Sequence, residues 1–420
     1  MFAATAQRAF GFGRMAAPTK SAPYTRAVVN AMRKLYPEVL ADKSFDNTGL
    51  LLEAPYDPLR RQMNSVMLTV DLTKAVADEA IERQDSIVVA YHPIIFRGLK
   101  ALTLNDSQQS SLLRLAAEGI SVYSPHTAID CARGGLGDWL ADIVTGTPTE
   151  LAEDEPPNEL TEDETLPDEN PADDSAFIRT SSPTKKPPSE PATDGDASST
   201  HLAPKRPIYM LQHHPSQLDL KQEALSLGGQ NHKRYPIRST AVPGYPGAGM
   251  GRIVRLPSPV PLPEIIDRIG LGLGNPKGFP IAVPQGKQAS EMTIQSIGIC
   301  AGSGGHLFGE MEKDGEEVDL LFTGELSHHE ALAAIEKGRC VITLFHSNTE
   351  RGFLHGVLKG QLESTVAEEW ERIRNEEKQK DGVDEHLMEA LNDEHVEVHV
   401  SEMDRDPYGI MISKAEAPPE

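Results

Sequence analysis

The amino-acid sequence predicts an α/β fold in two similar lobes, each a mixed sheet flanked by helices. Short apolar runs alternate with amphipathic helical segments on both sides of one long acidic stretch. Three of the strand-like runs end at a histidine. A chain of 420 residues with 39% hydrophobic content is long enough to build two cores.

In the first half, Val28, Val29, Met32 and Leu35 recur at helical spacing within 24–40, ahead of the turn-like Phe45-Asp46-Asn47-Thr48-Gly49. A strand is expected at 66–70, a helix at 73–83, and a second strand at 86–90 that runs into Tyr91-His92-Pro93. Asp106-Ser107-Gln108-Gln109 reads as a capping box opening a helix that stops near Gly119, and the strand 120–124 leads to His126. The second half repeats the pattern after a Pro/Gly-rich connection near 242–251. Strands are expected at 293–300 and 319–323, and a capping box, Ser327-His328-His329-Glu330, opens a helix 331–337. A strand 340–345 then ends at His346. The chain after Gln361 reads as charged helix to Asn392, and 396–400 as a last strand.

Residues 149–196 carry 15 acids against 3 bases, so this segment supplies 12 of the 23 excess negative charges. It cannot bury enough apolar surface to offset its ordering entropy and reads as a disordered insertion with no site. The expected organisation is therefore a first lobe 22–145, an acidic disordered insertion 146–205, a connecting segment 206–242 and a second lobe 243–415. Residues 1–37 hold six bases and no acid, the composition of a mitochondrial transit peptide or of a frayed terminus over 1–21. That leaves the mitochondrion and the cytoplasm as expected locations.

The net charge of -23 opposes direct nucleic-acid and anionic-membrane binding. No apolar stretch reaches the roughly 18 to 20 residues needed to span a bilayer. Cys131, Cys300 and Cys340 fall in no zinc-ribbon spacing and are too few for a disulfide framework.

The chemistry concentrates at the strand ends. Ligands collect outside the carboxyl ends of strands in open α/β sheets, so His92, His126 and His346 are placed to converge. Two of them are followed four residues later by a carboxylate, in His126-Thr127-Ala128-Ile129-Asp130 and His346-Ser347-Asn348-Thr349-Glu350. On a helical turn that spacing puts imidazole and carboxylate on one face. The expected ligands are His92, His126, Asp130, His346 and Glu350, with Tyr91, Glu325 and His329 as weaker or supporting candidates. Imidazole and carboxylate without thiolate suit zinc, iron, manganese or nickel.

Phe45-Asp46-Asn47-Thr48-Gly49-Leu50-Leu51, Tyr91-His92-Pro93-Ile94-Ile95-Phe96-Arg97-Gly98-Leu99, the two His-to-carboxylate strings and Thr323-Gly324-Glu325-Leu326-Ser327-His328-His329-Glu330 together resemble the YbgI-type dinuclear-metal proteins, also called GTP cyclohydrolase type-two-like. The eukaryotic branch of that family is named for interaction with a transcriptional adaptor. The resemblance covers roughly 22–145 and 243–415. It implies a two-metal site in the cleft between two similar lobes, with His92, Asp130, His346 and Glu350 as ligands and Asp130 or Glu350 placed to bridge. It also implies homo-oligomers, dimer to hexamer. Many bacterial members have a His-His pair where this chain has Tyr91-His92, which leaves one or two ions open.

Other signals are weaker. His213-His214-Pro215 lacks the Phe-Arg-Gly-Leu that follows Pro93-Ile94-Ile95, and reads as a chance match. His328 and His329 sit in a capping box and read as structural or as supporting a ligand rather than as ligands themselves. Ala301-Gly302-Ser303-Gly304-Gly305 and 45–49 read as tight turns. The function expected is a metal-dependent hydrolase for a small phosphorylated or heterocyclic substrate. The alternatives are a non-catalytic oligomer that binds a regulatory protein and carries a structural metal, and a metal chaperone or store.

Overall fold

The computed structural model describes residues 21–57, 63–147, 153–154, 208–213 and 228–414. The transit-peptide-like terminus and nearly all of the acidic insertion lie outside them. Met1–Glu155 with Leu211–Met411 forms one compact unit, which contains the two large sheets. Pro156–Met210 with Ile412–Glu420 forms a second, of which only 208–210 and 412–414 are described.

The first sheet has five strands in the order Gly49–Leu52, Ser121–Ser124, Ile87–Ala90, Ser65–Thr69 and Glu397–Val400. From Ser121–Ser124 to Glu397–Val400 its neighbours pair in parallel, and the three inner strands are fully buried, while the edge strand Gly49–Leu52 is antiparallel. Glu397–Val400, expected beside the second lobe, pairs instead with Ser65–Thr69 of the first. Alternation identifies a strand but does not name its neighbour.

The second sheet orders Ile281–Ala282, Cys340–Thr343, Leu320–Glu325, Thr293–Ser303, Arg252–Pro261, Lys233–Tyr235 and Glu153–Asp154. Cys340–Thr343, Leu320–Glu325 and Thr293–Ser303 run parallel to one another, and Arg252–Pro261 is antiparallel to Thr293–Ser303. Glu153 and Asp154, within the range read as the insertion, pair in parallel with Lys233 and Arg234 at the edge of this sheet. Arg252–Pro261 was not anticipated. Pro257 and Pro259 interrupt its apolar run, and they fall where its pairing with Thr293–Ser303 shifts register, between Arg255 and Val260.

Helix Pro23–Leu35 has Pro at its first position and buries Ala27, Val28, Ala31 and Met32 against helix Lys359–Lys378, with Tyr24 edge-to-face on Trp370 at 5.3 Å. It ends before Pro37, short of the expected residue 40. Asp106 caps Ser107–Ala117 through the Gln109 N–H (2.9 Å), but the Gln109 side chain accepts from the Thr103 N–H instead of completing the box. The Ser327/Glu330 box is complete. The helix expected after Gln361 begins earlier, as Arg351–Phe353 and a π-helical turn Leu354–Leu358, immediately after Glu350.

Candidate metal centre

The parallel strands Ile87–Ala90 and Ser121–Ser124 lie side by side, so His92 and His126 leave the same sheet edge. His346 leaves the end of Cys340–Thr343. The backbone is forced at two of these exits: His126 has φ 28° and Phe345, just before His346, has φ 65°. Left-handed backbone at such side chains costs on the order of 1 to 3 kcal/mol each and marks sites where placement of a side chain outweighs local comfort. The expected helical spacing forms, with Thr127–Cys131 carrying Asp130 and a 3-10 turn, His346–Thr349, carrying the chain to Glu350.

His92, His346 and Glu350 converge, each offering a ligand atom within 4.8 Å of the others. Glu350 is 3% exposed. Its Oε2 lies 3.4 Å from His92 Nε2 and its Oε1 lies 3.8 Å from His346 Nε2. That Oε2 is buried without a hydrogen-bond partner among protein atoms, a costly state for a carboxylate oxygen unless a cation lies against it. His126 and Asp130 adjoin this trio without joining it. The His92 and His126 rings are 5.6 Å apart, and the buried Tyr91, 5.4 Å from the His126 ring, donates its hydroxyl to Asp130 Oδ1 at 2.7 Å. Glu325 sits behind His346. His329 is exposed at the start of helix His328–Glu336, its ring against His328.

Each of the three imidazoles has Nδ1 on a carboxylate, which leaves Nε2 to face outward. Asp71 Oδ1 holds His92 at 2.9 Å, Asp46 Oδ1 holds His126 at 2.7 Å and Glu325 Oε1 holds His346 at 2.8 Å. This carboxylate–histidine arrangement fixes tautomer and ring orientation in metal sites. The carboxylates are themselves braced. Asp71 takes Arg351 on its other oxygen (3.0 Å), Arg351 also pairs with Asp404, and Asp46 accepts from both the backbone and the hydroxyl of Thr127.

Five carboxylates thus surround three imidazoles. Burial alone would lower the basicity of His92, but Glu350 and Asp71 outweigh it and push its pKa up to about 10. Burial raises Asp71 and Asp46, yet hydrogen bonds from His92 and His126 respectively hold both below the usual carboxylate range. Burial pushes Asp130 up to about 6, with His126 and the Tyr91 hydroxyl opposing it. A centre with this excess of negative charge attracts a cation, and the donor set fits a divalent one.

Sequence reasoning missed Asp71 and Asp46. Asp71 follows Ser65–Thr69 at the same carboxyl edge as the histidines, so the strand-end pattern applies to it as well. The turn 45–49 was read as structural, and it also delivers Asp46 to His126. The glycine segment 301–305 is not one tight turn. Ala301-Gly302-Ser303 continues the strand through a register shift, and a Cβ on Gly302 (φ 60°) would stand 2.9 Å from Glu350 Oε1 and 3.0 Å from His346 Nε2.

Two outcomes follow. Gly302→Ala should fold but bind metal poorly, since its methyl intrudes on two ligands and its backbone is strained by about 1 to 2 kcal/mol; a melting curve and a chelator titration check both parts. Asp71→Asn, which weakens the grip on His92, should lower metal affinity by roughly 10- to 100-fold while the fold persists, measured by the same titration.

Comparisons with known proteins agree with this architecture. Residues 23–379 match the family described as Duf34/NIF3 (NGG1p interacting factor 3). The Schizosaccharomyces pombe protein NIF3 homolog is 36% identical over 382 residues, covering 90% of this chain and 95% of that protein. The Saccharomyces cerevisiae NGG1-interacting factor 3 is 30% identical over 341 residues, covering 80% and 89%. A crystal structure of a Bacillus cereus protein related to NIF3 superposes with a TM-score of 0.53 at 17% identity, covering 91% of this chain and 98% of that one.

Proposed function

The chain belongs to the Duf34/NIF3 family, and on that footing we propose that it is a metal-dependent hydrolase acting on a small phosphorylated or heterocyclic substrate. The observation that carries the reading is the trio His92, His346 and Glu350, with both imidazoles held by carboxylates and one buried Glu350 oxygen that makes no hydrogen bond. The His346 side chain is 40% exposed, so an ion here would keep coordination positions open, as catalytic sites do and closed structural sites do not. When bound, such an ion polarises a substrate oxygen or lowers the pKa of a water towards about 7. His126, with Nδ1 held by Asp46, presents Nε2 for proton transfer beside it. Zinc, iron, manganese and nickel all suit the donors, and elemental analysis of the purified protein decides among them.

The test is turnover of a panel of phosphomonoesters, nucleotides and cyclic amidine heterocycles by metal-loaded protein. The wild type should hydrolyse at least one class, and His346→Ala combined with Glu350→Ala should stay folded and lose the activity. A fully loaded wild type that turns over none of them contradicts the reading.

A second reading has its own support. A relative is named an interacting factor, and Phe96, Leu99, Leu102 and Leu104 form an exposed apolar stretch after His92, with Phe45 and Phe96 ring-to-ring at 6.3 Å. Such exposed patches serve as protein contacts. In that reading the chain is a homo-oligomer that binds a regulatory protein, and the double variant should lose partner capture with no turnover at any stage. Light scattering of the purified chain and its location between mitochondrion and cytoplasm bear on both readings.

A further inference from the structure

We infer that the centre holds a single divalent ion and that Tyr91 is the residue that keeps a second one out. The inference rests on the metal-centre reading above and extends it to stoichiometry. Glu350 sets Oε2 3.4 Å from His92 Nε2 and Oε1 3.8 Å from His346 Nε2, so each of its oxygens faces an imidazole of the trio. Asp130, the other carboxylate able to bridge, accepts the Tyr91 hydroxyl on Oδ1 at 2.7 Å.

Tyr91 cannot easily move aside. It is 3% exposed, packs against His92 at 5.1 Å and His126 at 5.4 Å between ring centroids, and its carbonyl accepts the buried Ser124 hydroxyl at 2.9 Å. The buried Cys300 thiol is turned to the Ala301 carbonyl at 3.3 Å. What remains for a second ion is Nε2 of His126 and Oδ2 of Asp130. Two donors fall short of the three or four that protein sites for such ions supply. Among the described residues, one group of three His, Cys, Asp or Glu ligand atoms converges, and it is the group built on Glu350.

An imidazole in place of the phenol supplies the missing donor and releases Asp130 Oδ1 together. Tyr91→His should therefore open the second position, whereas Tyr91→Phe releases Asp130 but adds no donor. The experiment strips the full chain with chelator, reloads it with excess Mn²⁺ or, in parallel, Zn²⁺, desalts it, and reads metal per chain by elemental analysis. The Mn²⁺ form is also examined by electron paramagnetic resonance. Wild type and Tyr91→Phe should hold one equivalent with the six-line spectrum of an isolated Mn²⁺. Tyr91→His should hold two, with an exchange-coupled spectrum. Two equivalents in the wild type overturn the single-ion inference and leave the metal centre standing, whereas none in the wild type overturns the metal centre itself. A Tyr91→His protein that melts like the wild type and still holds one ion overturns the role given to Tyr91; if that variant does not fold, the wild-type and Tyr91→Phe stoichiometries carry the test.

Discussion

Glu350→Ala is expected to abolish metal binding and, with it, the stabilisation that metal confers. Glu350 is the most buried member of the trio and the one that meets both imidazoles. Its loss removes a ligand outright, a larger change than the roughly 10- to 100-fold expected when only an outer carboxylate is weakened. A ligand that binds the folded chain alone adds about 2.7 kcal/mol of stability at a concentration 100 times its Kd. Thermal melts with and without Zn²⁺ should therefore differ for the wild type and coincide for Glu350→Ala. A metal-dependent shift that persists in the variant places the ion elsewhere.

Arg252→Met is expected to have the largest effect on stability, about 3 to 5 kcal/mol, the usual result of breaking a buried ion pair on one side. Arg252 is 2% exposed and grips both oxygens of Asp138, at 2.6 and 2.9 Å, while its remaining nitrogen donates to the Gly249 and Gly251 carbonyls at 2.7 Å each. This joins helix Leu136–Thr145, which follows the His126–Asp130 turn, to the strand Arg252–Pro261 of the second sheet. Asp138 also accepts the Gly134 N–H. Burial would raise the Asp138 pKa, but Arg252 and Arg234 hold it below its ordinary 3.8. A carboxyl depressed in the folded state stabilises fully above its unfolded pKa, and that contribution is lost as pH falls through the lower folded value. Denaturant midpoints should thus drop below about pH 4 in the wild type, and Asp138→Asn should lose this acid-side component at the cost of lower stability near neutrality. An Arg252→Met protein within about 1 kcal/mol of the wild type would mean that the packing around Gly137 and Gly249 holds this joint without the charges.

The parts of the fold written in local pattern were legible in the sequence. Ile87–Ala90 and the first half of Leu320–Glu325, Leu320-Leu321-Phe322, are buried apolar runs, and Ser327 with Glu330 announces a helix start. Partnerships distant in sequence were not legible. Nothing near Glu397 says that its strand adds to Ser65–Thr69, and Arg252–Pro261 hides behind prolines that sit at its register shift. The centre divides the same way. His92, His346 and Glu350 stand out because a strand end and a four-residue spacing are local facts. Asp46 and Asp71 become visible only once the chain has folded, since each meets its imidazole across 80 and 21 residues. Glu325 was reached through its motif. Asp130 kept its place beside the trio, but its partner there is Tyr91.

The central claim is that His92, His346 and Glu350 hold a divalent ion, and anomalous scattering from crystals grown with Zn²⁺ tests it most directly. The account predicts one strong peak about 2.0 to 2.2 Å from Nε2 of both histidines and from a Glu350 oxygen. A peak at other residues, or none at saturating Zn²⁺, would contradict it.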